Sequence, residues 1–196
     1  MNIPTIVRHH TGLTGFFFLY FLPLLAYGFA KGNDQAPFYA VFIAIGAFVV
    51  VRLHTRFGLS RLVLWSLASW GLAHMVGGLV EFGGEVIYEH SLGAGELRFD
   101  KVVHFFGFGS ATLAAYEVLR NSVATEARSR SVAIAALFVG LGVGAINETI
   151  EFVITLLPGE SNVGGFSNTG WDLVANAAGA VVAASLAPAA ERNGAG

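Results

Sequence analysis

Six apolar segments constrain the fold of this chain more than any other feature of its sequence. A helix needs about 20 mostly apolar residues to cross the hydrocarbon core of a bilayer. The segments run over residues 12–30, 37–54, 60–80, 101–119, 131–157 and 170–188, with short polar stretches between them. Lipid offers no partner for a free backbone amide, so each span must be helical. The sequence predicts an all-α, polytopic transmembrane helix bundle of six spans, with residues 1–196 forming a single integral membrane domain.

The composition agrees with a membrane environment. Only 12% of the 196 residues are charged, whereas about 25% is usual for a soluble domain. The net charge of −2 gives no basic surface for nucleic acid, so the lipid bilayer is the predicted partner. The chain has no cysteine, which excludes disulfides, thiolate metal ligands and cysteine nucleophiles.

The basic residues predict the orientation of the spans. Three lie on one side of the predicted membrane, namely Lys31, Arg98 and Lys101. The other eight are Arg8, Arg52, Arg56, Arg61, Arg120, Arg128, Arg130 and Arg192. The positive-inside rule places both termini in the cytoplasm, so we expect a multi-pass protein of a bacterial cytoplasmic (inner) membrane. The first segment could also be read as a cleaved signal peptide, but its apolar run is long for one and a retained span is favoured.

Ionisable and amide side chains collect in the predicted outer half of spans three to six. His74, Gly78, Glu81 and Glu85 have spacings that place them on one face of a helix. The later spans contribute Asp100, Lys101, His104, Asn147, Glu148, Glu151, Asp172 and Asn176. Because a charge inside the bilayer costs about 2.5 kcal/mol or more, we expect these groups to face one another. They would form a polar cup of acids and histidines that opens on the extracytoplasmic side.

Helix packing around this cup is predicted from glycine. Gly140 and Gly144 have the small-xxx-small spacing that lets two helices approach closely. Spans one and two carry few polar groups, so we expect them to pack on the flank of the bundle.

Single members of the cup also have ordinary interpretations. Asp100 could be a helix N-cap beside an interfacial lysine, and His74 a hydrogen-bonded strut between helices. Glu81 could lie beyond the membrane in solvent, and Asp172 could cap its helix at the interface. Glu148 is harder to explain in this way, because apolar residues flank it on both sides.

Carboxylates and imidazoles together suit a divalent metal such as zinc, manganese or iron. The candidate metal ligands are Asp100, His104, Glu148, Asp172 and His74. The candidate catalytic residues are Glu148, Glu151, Asp172, Asp100 and His104, supported by Lys101, Asn176, Glu81 and Asn147. Without a metal, Glu148 and Glu151 could instead act as a general acid and a general base.

The stretches "FDKVVHFFGFG", "NETIEF" and "NTGWDLVANAAGA" follow one another in an order that resembles the VanZ-like and YjdF-like integral membrane proteins of bacteria. The resemblance covers about residues 74–180, and its segment "HMVGGLVEFGGE" looks more like the YjdF-like pattern. It implies a membrane fold and names no reaction. The signature positions that it implies are Asp100, Lys101, His104, Glu148, Glu151, Asp172 and Asn176.

Three functions remain open at this point. The first is a metal-dependent enzyme or binding site that acts on a lipid or lipid-linked substrate at the outer leaflet. The second is a non-enzymatic accessory subunit of a membrane complex, in which the cup holds helices together or docks a membrane protein partner. A transporter ranks third, because no inverted repeat is visible and the polar groups lie near one face.

The 81–100 loop is acidic and carries glycines, a composition suited to a lid.

Overall fold

Six long helices make up almost all of the computed structural model, which describes residues 10–93, 97–122, 128–156 and 165–194. They are α1 (Thr11–Ala30), α2 (Ala36–Phe57), α3 (Arg61–Leu79), α4 (Phe99–Ser122), α5 (Ser129–Thr155) and α6 (Phe166–Gly194). Each is long and apolar enough to cross a membrane, and the crossing part of α6 ends at Ala189. The predicted all-α membrane bundle is therefore confirmed. The predicted last residue of span five, Leu157, and the topology residue Arg8 lie outside the described residues.

Local sequence explains where the connections fall. Helix α2 ends at Phe57 and is capped by Gly58, whose φ of 70° is the left-handed conformation that glycine adopts without a steric cost. Two residues later the hydroxyl oxygen of Ser60 accepts a hydrogen bond from the Val63 amide and caps α3. At the other end of the bundle, the Asn33 side chain donates to the Gly78 carbonyl oxygen (3.3 Å). The α1–α2 connection and the end of α3 are thereby joined.

The helices α4, α5 and α6 pack against one another, and α3 packs on α4. Glycine permits the closest approaches, as the spacing of Gly140 and Gly144 predicted. A Cβ on Gly140 would meet Thr112, and one on Gly144 would lie 3.1 Å from the Asn176 Cβ. Helix α1 packs on α3, while α2 touches α1, α3 and α4. The predicted flank position of the first two spans is confirmed within the described part of the chain.

The segment after α3 lies in the predicted 81–100 loop and is a small hairpin, whereas the spacing of Glu81 and Glu85 predicted that they continue the helical face of span three. Strand β1 (Glu81–Phe82) pairs antiparallel with strand β2 (Glu85–Val86). Gly83 and Gly84 make the turn, with φ of 67° and 93°. These values favour glycine, so the Gly-Gly pair ends the helical periodicity. The predicted helical face that included Glu81 and Glu85 is therefore wrong.

A 3₁₀ turn (Ile87–Glu89) follows the hairpin and packs on α3 and α4. Its Tyr88 ring lies against Gly77 of α3, where any side chain would collide with it. The 81–100 loop is thus held against the bundle by an aromatic side chain over the part that the structure describes. Residues 94–96 of that loop lie outside the described residues.

Replacing Gly179 by alanine is predicted to destabilise the protein, because the new Cβ would run into the backbone carbonyl of Phe105 on α4. Overpacking of this kind costs about 1–3 kcal/mol. The matched control is G170A on the same helix, where a Cβ meets no described atom within 4 Å. Thermal unfolding of the purified protein in detergent should show a lower melting temperature for G179A only. Equal melting temperatures for both variants would contradict this account of the α4–α6 contact.

Candidate functional site

Polar side chains meet at one end of the bundle, where α3 and α5 end and α4 and α6 begin. We call this group the polar cluster; its members are Asp100, Lys101, His104, Asn147, Glu148, Glu151, Asn168, Asp172 and Asn176. Eight of these nine residues are candidates from the sequence. They come from α4, α5 and α6, so three helices have to pack correctly before the group exists.

Lys101 lies at the centre of one half of the cluster. Its ammonium donates to Asp100 Oδ2 (2.7 Å), to Asn168 Oδ1 (2.6 Å) and to Asp172 Oδ1 (2.8 Å). Only 5% of the residue is exposed. An interfacial lysine would extend its charge to water, so the sequence-based alternative of a snorkelling Lys101 does not describe this side chain.

Asp172 is held from two sides. Its Oδ1 accepts from Lys101, and its Oδ2 accepts from the Asn168 side-chain amide (2.6 Å) one helical turn earlier on α6. The residue is 1% exposed. Both oxygens are thus oriented by named donors, and the position of the carboxylate is fixed relative to α4.

His104, Asn176 and Glu148 form the other half of the cluster. The Asn176 side-chain amide donates to Glu148 Oε1 (2.8 Å), and its oxygen lies 3.0 Å from His104 Nδ1. Since an amide oxygen can only accept, His104 carries its proton on Nδ1 in this arrangement. Nε2 is then free of that contact and lies 3.7 Å from Asp172 Oδ1. Glu148 Oε2 is buried and has no hydrogen-bond partner in the part of the chain that the structure describes.

Glu151 completes the cluster from α5. Its Oε1 accepts from the Asn147 side chain (2.7 Å), which also lies 3.5 Å from Glu148 Oε1. Three atoms of metal-ligand type, one each from His104, Glu151 and Asp172, lie within 4.8 Å of one another. An imidazole and two carboxylates, contributed by three different helices, therefore converge on one small volume.

His74 lies apart from this group in an aromatic surrounding. Its ring stacks on Trp70 with a centroid distance of 5.3 Å and also contacts the rings of Tyr39, Phe42 and Tyr88. The His74 Nδ1 forms a hydrogen bond with the Tyr88 hydroxyl, whose pKa burial raises well above its usual range. His74 Nε2 is buried and has no partner among the described residues.

Glu81 is not brought to the cluster. It is exposed on the hairpin and lines a shallow polar depression with Glu85, Glu89 and Arg98. Arg98 forms an ion pair with Glu89 there. The interpretation that Glu81 lies in a solvent-facing loop fits this position better than a supporting role beside the metal candidates.

Two residues with clear structural roles escaped the sequence analysis. Asn168 is four residues before Asp172 and eight before Asn176, so a search for polar residues on one helical face would have found it. Tyr88 has no such signal, because its contact with His74 depends on how the hairpin folds back over Gly77.

A model for a family described as predicted membrane protein, DUF2238, matches residues 12–193. The chain belongs to the DUF2238 family. The match covers all six helices except the first residue of α1 and the last of α6, and it includes every member of the polar cluster. Its description carries neither the VanZ name nor the YjdF name. No curated protein and no solved structure matches this DUF2238 chain.

Replacing Lys101 by methionine is predicted to destabilise this DUF2238 protein strongly, because Asp100 and Asp172 would keep their charge without a cation. Removing one partner of a buried pair costs about 3–5 kcal/mol. Denaturant unfolding in detergent would measure the loss. K31M is the matched control, since Lys31 is exposed and its loss should cost less than about 0.5 kcal/mol.

The double variant K101M/D172N tests whether the instability of K101M comes from the unpaired charge of Asp172. It removes the unpaired charge of Asp172 along with the lysine, so it should unfold at a higher denaturant concentration than K101M alone. A double variant no more stable than K101M would show that Lys101 stabilises the bundle by packing and not by charge.

Proposed function

We propose that the polar cluster binds one divalent metal ion and acts on a lipid or lipid-linked phosphate at the outer leaflet. The observation that carries this proposal is the convergence of ligand atoms from His104, Glu151 and Asp172 within 4.8 Å of one another. These residues come from α4, α5 and α6, so the three helices would be cross-linked by the ion. Zinc, manganese and iron are the candidate metals.

The donor set suits such an ion. Catalytic zinc sites commonly use three protein ligands of the nitrogen and oxygen type and keep a fourth position for water or substrate. Manganese and iron also accept carboxylate and imidazole ligands. The contact between His104 Nδ1 and Asn176 leaves Nε2 as the ligand atom, which is the usual way in which a neighbour orients a metal-binding imidazole.

The charges of the cluster favour the same conclusion. Four carboxylates, those of Asp100, Glu148, Glu151 and Asp172, face one lysine and one histidine. If all four carboxylates are ionised and His104 is neutral, as a metal-binding imidazole must be, three negative charges remain without a cation. One divalent ion would reduce this excess to a single negative charge, and uncompensated charge within a membrane is costly.

The remaining residues would serve the reaction around the ion. When bound, a divalent metal lowers the pKa of a bound water or polarises a phosphoryl oxygen. Glu148 has a buried carboxylate oxygen without a hydrogen-bond partner among the described residues, which suits a proton acceptor. Lys101 and Asn168 hold Asp172 in position as a ligand. Asp100 contacts the lysine, and His74 is turned toward Tyr88, so neither is in the ligand group that we propose.

The proposal includes an orientation. We infer a bacterial inner membrane location with the polar cluster on the extracytoplasmic side, because eight of the eleven basic residues fall on the opposite side of the predicted spans. The resemblance of "FDKVVHFFGFG" and "NTGWDLVANAAGA" to VanZ-like and YjdF-like proteins belongs to this proposal as well. It supports these positions as a site in a membrane fold and names no reaction.

The metal is tested by elemental analysis of the detergent-purified protein. We expect about one zinc, manganese or iron ion per chain in the parent and a loss of that ion in E151Q. The matched control is E85Q, which changes an exposed glutamate on the hairpin and should retain the metal. Hydrolysis of a lipid-linked phosphate would then be assayed in both variants, with loss expected only in E151Q.

Absence of metal from a parent protein purified without chelator would overturn the metal proposal, as would equal metal in the parent and in E151Q. In either case the accessory-subunit function would take its place, and a co-purified membrane protein would be sought. If the protein binds metal but does not hydrolyse a lipid-linked phosphate, the metal site stands and the proposed reaction is overturned.

The orientation is tested with single cysteines, since the natural chain has none. Glu85 and Ser122 are both exposed and lie at opposite ends of the bundle. In intact cells, a membrane-impermeant maleimide should label E85C and should label S122C only after permeabilisation. The reverse pattern would place the polar cluster on the cytoplasmic side.

A further inference from the structure

A second site lies away from the polar cluster, in a cleft between α1, α2 and α3. The cleft has a volume of about 520 Å³, which is within the range of ligand pockets. Its walls are mainly apolar and aromatic, including Phe17, Phe42, Phe48 and Trp70. The polar cluster is instead built on α4, α5 and α6, so the two sites do not share a helix.

The cleft opens at the surface of the bundle between α1 and α2. Phe18 on one side is 50% exposed, and Ile45 and Phe48 on the other are 58% and 60% exposed. Because both helices are long and apolar enough to cross the membrane, this opening faces lipid chains and not water. A molecule could therefore enter from the bilayer without leaving the hydrocarbon phase.

Polar groups are found at one end of the cleft. His10 and His54 line it there, with their ring centroids 4.9 Å apart in an edge-to-face arrangement. The buried Nδ1 of His54 has no hydrogen-bond partner in the part of the chain that the structure describes. His54 as a whole is only partly buried, so the rest of its ring is accessible to the head group of a molecule in the cleft.

The length of the cleft corresponds to one leaflet. Along α2 it extends from His54 to Phe42, which is twelve residues or about 18 Å at the helical rise of about 1.5 Å per residue. The hydrocarbon core is about 30 Å thick, so one leaflet is about 15 Å. A single hydrocarbon chain of ordinary lipid length would fill the cleft with its head group beside the histidines.

We propose that this cleft binds a single-chain amphiphile from the leaflet opposite the polar cluster. The chain lies between α1 and α2 along Phe17, Phe48 and Trp70, and the head group forms a hydrogen bond with His54. This explains why the cleft is apolar over its length and polar only at one end. The site does not depend on the metal proposal, because none of its lining residues belongs to the polar cluster.

Tryptophan fluorescence provides the test, because Trp70 is the tryptophan that lines the cleft. With Trp65 and Trp171 replaced by phenylalanine, the detergent-purified protein is titrated with dibromostearate, whose bromine atoms quench a neighbouring indole. We expect quenching that saturates near one equivalent per chain. Quenching that rises linearly with dibromostearate, as for partition into the micelle, would overturn the proposal.

A matched pair of variants locates the binding. Gly46 lines the cleft, Gly142 does not, and a Cβ at either position meets no described atom within 4 Å. The saturable quenching should be lost in G46L and kept in G142L, with both variants eluting as the parent does in size-exclusion chromatography. Equal saturable quenching in the two variants would overturn the proposed site, and H54L should weaken binding if the head group lies beside His54. If G46L does not fold, the parent titration and H54L decide the question.

Discussion

A buried ammonium group surrounded by acids is the interaction on which the rest of this structure depends. Lys101 on α4 is 5% exposed and contacts Asp100, Asn168 and Asp172 at 2.6–2.8 Å. An ionised side chain that is buried in a membrane protein is costly unless a partner compensates its charge. The lysine and Asp172 remove that cost only if α4 and α6 meet in one register, so their pairing selects the helix arrangement. Gly109 and Gly179 then allow the two backbones to approach within contact distance.

The bundle divides into a polar part and an aromatic part that meet at Trp70. On the polar side α4, α5 and α6 are joined by hydrogen bonds between side chains and by small residues, the two means by which helices associate in lipid. On the other side α1, α2 and α3 are joined mainly by rings and leave a cleft between them. Trp70 lies over Gly107 of α4, stacks on His74 and lines the cleft. Trp70 thus contacts both parts of the bundle.

Much of the fold and of the polar cluster could be predicted from the sequence, because long apolar runs and one-turn spacings are local properties. The six spans and the meeting of Asp100, His104, Glu148 and Asp172 follow from hydropathy and from the cost of burying charge. The hairpin after α3 was not predicted, since the Gly83–Gly84 turn interrupts a spacing that otherwise reads as helix. The central position of Lys101 was also missed, because the choice between an interfacial and a buried lysine depends on partners that α6 supplies.

Most buried charges and polar atoms of the polar cluster are paired with one another, yet this pairing is incomplete. A purely structural network would be expected to satisfy every buried atom, because a partly satisfied one costs more than an apolar core. Here Lys101 uses all three of its N–H donors, and Asn168 and Asn176 each donate and accept a hydrogen bond, whereas Glu148 Oε2 has no partner among the described residues. Protons could neutralise the excess carboxylates, but a proton on that oxygen would have no acceptor in the described structure. A cation held by His104, Glu151 and Asp172 would offset most of the negative charge and leave Glu148 as the proton acceptor, which is why we favour a bound ion over a protonated network.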